Sequence, residues 1–92
     1  MAKEHLIIHK NDILNLTKKE VQKMDIGTMY QYAIKAVNCR LVESFNNRIG
    51  NNYGIPSNYV ASILKGEKEG KKFRNQVETS FKSMFLQFID SL

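Results

Sequence analysis

Two glycines and a proline near the middle of the chain limit its fold more than any other feature. Gly50, Gly54 and Pro56 punctuate two segments whose apolar residues repeat at helical spacing. Ile49 and Tyr53 lie four apart and so share one face of a helix, while Val60 and Ile63 lie three apart on the next. Gly54 falls where the chain must turn, and glycine reaches a positive φ without steric cost. Pro56 suits the first turn of the second helix, where its missing N–H removes no helical bond. Gly50 is small enough to let two helices cross closely. The expected local structure is a helix over 46–53, a tight bend, and a helix over 56–65.

The flanking sequence reads as helix as well. Thr17 followed three residues later by Glu20 is a capping-box pattern, which predicts a small helix over Lys18 to Met24. Asp25, Ile26 and Gly27 break it. Thr28 is then the expected cap of a longer helix from Met29 to Ser44, with Ala33, Ile34, Val37, Leu41 and Phe45 as its apolar stripe and Cys39 off it. The stretch Lys65 to Lys72, charged and carrying two glycines, reads as a loop. The last helix is expected from Phe73 to Asp90. At the other end, Leu6, Ile7 and Ile8 stand between His5 and His9 as either a short strand or a packed arm. The expected fold is all-α: a single compact domain of about five helices, with a possible short N-terminal strand. Residues 1–28 would form an arm and short helix, 29–72 the long helix and the bent pair, and 73–92 a packing or dimerisation helix.

Several function classes are disfavoured. A chain of 92 residues makes one small domain, and 42% hydrophobic content is ordinary for a globular fold rather than a disordered one. Cys39 is alone, so no internal disulfide forms, which fits a reducing cytoplasm. No apolar run approaches the ~20 residues of a membrane span, and the first residues lack a long apolar signal core. A cytoplasmic chain away from membranes is the expectation. His5 and His9 lie four apart without further ligands at zinc spacing, so no metal is expected. Asp12, Asp25 and Asp90 form no recognisable acid–base couple, and no glycine loop with lysine is present to hold phosphate. No catalytic residue, no cofactor and no enzymatic activity are expected.

The series Gly50, Gly54, Ile55, Val60 and Ile63 resembles the helix-turn-helix signature of bacterial and phage repressors. In that signature a small residue is followed four on by glycine and then at once by an apolar residue, with further apolar residues six and nine past the glycine. The run Tyr53-Gly54-Ile55-Pro56, with Val60 and Leu64-Lys65-Gly66 after it, is also similar to the homeodomain-like turn of some recombinases and transposase-type binders. The likeness covers residues 46–66, and it departs from the repressor pattern at Gly50, where alanine is usual. The same spacing also fits an ordinary helical corner with a glycine turn.

The resemblance implies that the second helix enters the major groove of double-stranded DNA. Its outward face would be Ser57, Asn58, Ala61, Ser62 and Lys65. Asn58 would pair with adenine, Ala61 would touch a thymine methyl, and the two serines would meet base edges or phosphate; the alternative is that these side chains are simply solvated. Arg48, Lys68, Lys71, Lys72 and Arg74 would neutralise phosphates, although Glu67 and Glu69 interrupt that run. The net charge of +5 and pI of about 9.4 favour a polyanionic partner. Phe81, Phe85, Leu86, Phe88 and Ile89 are a large apolar load near the chain end. They either close the domain's own core or pair with a second copy, and a homodimer would suit a reader of two-fold DNA sites. The expected function is sequence-specific DNA binding by a small dimeric transcriptional regulator, a repressor of plasmid or phage type. The alternative is a basic helical module that docks on a partner protein and inhibits or modulates it.

Overall fold

Helical periodicity carries through to the backbone. A computed structural model of the chain describes residues 7–67 and 72–92. Among these residues there are six helices and no strand: α1 (Lys10–Leu14), α2 (Lys18–Lys23), α3 (Ile26–Asn38), α4 (Phe45–Tyr53), α5 (Ser57–Lys65) and α6 (Arg74–Ser91). The radius of gyration, 12.5 Å, is close to the ~12 Å of a compact domain of this length.

The helix ends follow local chemistry. α2 begins as expected: the Thr17 hydroxyl accepts the Glu20 N–H at 3.2 Å, and the Glu20 carboxylate accepts the Thr17 N–H at 3.1 Å. α1 is an addition to the expected set. The Asp12 carboxylate accepts the His9 N–H at 2.8 Å and starts a single short turn that buries Ile13. Ile7 and Ile8 belong to neither helix nor strand. Ile8 is buried and Ile7 exposed, so the described part of the arm packs through one side chain. His5 and Leu6 lie outside the described residues.

The expected long helix differs at both ends. α3 begins at Ile26 with Asp25, not Thr28, as its N-cap, and Gly27 sits inside the first turn. The Met29 N–H donates to the Asp25 carbonyl at 3.0 Å, closing the first helical bond three residues earlier than the Thr28 reading requires. The helix then stops at Asn38. Arg40 turns into the left-handed region at φ 59°, and the Leu41 N–H donates back to the Ala36 carbonyl at 2.9 Å. That bond satisfies a terminal carbonyl and reverses the chain without glycine. Ser44 is consequently free to cap α4, and its hydroxyl accepts the Asn47 N–H at 3.4 Å. The buried face of α3 is Met29, Tyr30, Ala33 and Ala36, and Ile34 points outward at 39% exposure.

α6 supplies the floor of the molecule. Val77, Phe81 and Phe85 are fully buried, with Phe88 at 6% and Ile89 at 7% exposure. Of the two roles expected for these residues, closing the core is the one visible in the single chain: Phe81, Phe85, Phe88 and Ile89 face the chain's own core, and Leu86, half-buried, also packs against it. The cause is Phe45, the first residue of α4. Its ring meets Phe81, Phe85 and Phe88 edge-on at centroid distances of 5.7, 5.9 and 6.1 Å. One hydrophobic cluster joins all six helices. No helix among the described residues is long and apolar enough to cross a membrane.

Candidate nucleic-acid interface

α4 and α5 are joined by three residues, Gly54, Ile55 and Pro56. Gly54 caps α4 at φ 68°, in the left-handed region that the bend requires. The Gly50 carbonyl accepts two bonds, from Gly54 N–H and from Ile55 N–H, the latter at 2.9 Å. This folds the turn back onto the last turn of α4. A Cβ at Gly50 would stand 2.5 Å from the Ile55 carbonyl oxygen, so the turn lies directly against the position where the repressor pattern has alanine. Pro56 is the N-cap of α5 rather than its first helical residue, and Gly66, again left-handed at φ 80°, caps its C-terminal end after Lys65.

Both helices are held from beneath. α4 is fixed at its start by Phe45 against α6 and at its end by Tyr53, whose hydroxyl lies 2.7 Å from that of Ser80. Asn46 donates its side-chain N–H to the Tyr30 hydroxyl at 2.9 Å and ties α4 to α3. α5 buries Val60, Ile63 and Leu64 against α3, α4 and α6. Burying these three aliphatic side chains favours the docked position by about 1.5–3 kcal/mol each. The opposite face of α5 is thereby set outward.

On that face Ser57, Asn58 and Lys65 are exposed, while Ala61 and Ser62 are half-buried. The residues expected to read bases therefore fall on one side of one helix. Ser62 differs in its availability, because its hydroxyl donates to the Asn58 carbonyl at 3.1 Å within the helix. Arg48 is exposed on α4. Lys72 and Arg74 are exposed before and at the start of α6, but both are engaged: the Lys72 ammonium lies 5.4 Å from the Phe73 ring centroid, and the Arg74 guanidinium is 3.1 Å from the Glu78 carboxylate. Lys68 and Lys71 lie outside the described residues.

Motif spacing alone passed over the outer side of α4, where Asn47, Asn51 and Asn52 are exposed next to Arg48. A signal for them exists. From Ser44 to Gly66 the sequence holds no aspartate or glutamate, and Arg48 and Lys65 are its only charged residues. The preceding stretch, Ile26 to Val42, likewise holds no aspartate or glutamate, and acidic and basic residues are mixed before Ile26 and after Gly66. The segment is thus carboxamide-rich, weakly cationic and free of carboxylates of its own, while Glu43 and Glu67 flank it and Asp25, Glu67 and Glu78 line a cavity together with Lys65. Carboxamides offer paired donors and acceptors without repelling phosphate. Among the described residues no cluster of three or more His, Cys, Asp or Glu side chains is placed to hold a metal ion. No family model, no curated protein and no solved structure matches the chain.

Proposed function

We propose that this chain binds double-stranded DNA through the α4–α5 pair, acting as a helix-turn-helix, with α5 in the major groove and a regulatory role in transcription. One observation carries the reading. The outward side of α5, set by three buried aliphatic residues on its inward side, presents Ser57, Asn58 and Ser62 with Ala61 and Lys65, on a helix bounded by a short glycine turn, within a stretch that contains no carboxylate. A major groove about 12 Å wide admits a helix of this kind. Arg48, exposed on α4, and Lys65, exposed in the last turn of α5, serve as phosphate contacts, with the lysines after α5 adding to the field. The local absence of acidic residues matters more than the overall charge, because one carboxylate on a groove-facing helix would oppose the phosphates at close range.

The test is binding of the full chain to mixed-sequence duplex DNA between roughly 50 and 200 mM salt. The reading predicts a plot of log affinity against log salt that falls with a slope steeper than about −2, since each neutralised phosphate contributes about −0.9. Arg48→Ala and Lys65→Ala are each expected to make the slope shallower by about one such contribution. Absence of binding at the lowest salt, with the chain folded, would overturn it.

A further inference from the structure

Resting on the DNA-binding reading above, we infer that the bases read by α5 are A·T pairs, with Asn58 the residue that specifies adenine. Guanine presents two acceptors in the major groove and is matched by arginine or lysine, whereas cytosine presents an amino donor and is matched by a carboxylate. The outward side of α5 holds no arginine and no carboxylate, and its lysine, Lys65, sits in the last turn. Adenine presents an acceptor and a donor side by side, the pattern that a carboxamide complements with two bonds. Asn58 is the carboxamide of α5. It lies in the first turn, is exposed, and its side chain has no partner among the described residues.

Ala61 stands three residues on, at the edge of the same face, where it is half-buried against the core and its remaining exposed surface offers a methyl group at the spacing of one helical turn. That is the contact a thymine methyl takes. Ser62 is half-committed to the Asn58 carbonyl, and this bond leaves the hydroxyl as an acceptor only. The face therefore has one group able to make a paired contact to a base edge and one apolar group beside it. Both select the same base pair.

The experiment is a selection of the full chain against a random duplex library, followed by sequencing of the bound fraction, and its repetition with Asn58→Arg. The wild-type chain is expected to enrich a short A·T-rich core, with a discrimination of about tenfold against G·C at the position opposite residue 58. Asn58→Arg is expected to move that position to G·C while the rest of the site stays A·T. Enrichment of a G·C-centred site by the wild-type chain, or saturable binding with no enriched sequence, overturns the base assignment and leaves DNA binding intact. Failure of both proteins to retain any duplex overturns the DNA-binding reading itself.

Discussion

A Cβ placed on Gly50 would meet a backbone oxygen, that of Ile55, at 2.5 Å, and a backbone atom cannot swing aside as a flexible side chain would. Two effects compete in Gly50→Ala. Helix propensity favours alanine by about 1 kcal/mol, while overpacking of this kind costs about 1–3 kcal/mol. Because the clash involves the turn that joins α4 to α5, the second effect is expected to win. The variant should show a lower denaturant midpoint with an unchanged slope; a raised midpoint would mean that the turn relaxes at no cost. Arg40 presents the opposite case. It holds φ 59° with a full side chain, exposed at the end of α3. Arg40→Gly removes the left-handed penalty and should raise stability by about 1 kcal/mol, seen as an upward shift of the thermal midpoint.

At the scale of elements, α4 is the piece most dependent on its neighbours. Its polar outer side contributes little to folding, and it is placed by Phe45 at one end and Tyr53 at the other. Phe45→Ala removes a ring that touches three phenylalanines of α6 and should cost about 3–5 kcal/mol, a large part of the 5–15 kcal/mol available to a small domain. Chemical denaturation would read this, and a loss below 1 kcal/mol would mean that the aromatic cluster is not what holds α4. Phe88→Ala should likewise act on stability, because Phe88 is 6% exposed in the single chain. The legibility of each element follows the same division. Ends fixed by their own residues were readable: the Thr17–Glu20 box and the bend at Gly54. The end of α3 was not, since arginine stands at the left-handed position that glycine usually announces, and the expected helix ran on to Ser44. α1 was missed because five residues with one buried side chain give no period. The phenylalanines of α6 were legible as apolar but not in their destination, which depends on Phe45 arriving from another helix.

At the scale of the whole molecule, the fold divides labour between a floor and a presented surface. α6 and α3 bury the aromatic and aliphatic residues, and α4 and α5 lie over them with an acid-free polar exterior. The candidate surface was half legible in the sequence. The outward residues of α5 follow from the spacing of Val60, Ile63 and Leu64, whereas the exposed asparagines of α4 needed the placement of Phe45 and Tyr53 to show which side was left over. Contact between the outer side of α5 and duplex DNA is probed by Asn58→Asp, which keeps size and shape and adds one negative charge. In the first turn of a helix that charge is favourable by about 0.3–1 kcal/mol, so the fold should be as stable as before or slightly more so. The expected result is a thermal midpoint that is unchanged or raised, together with at least about a tenfold loss of affinity for duplex DNA, because the new carboxylate faces base acceptors and phosphates. A folded Asn58→Asp chain that binds duplex DNA as tightly as the unaltered protein would contradict that contact.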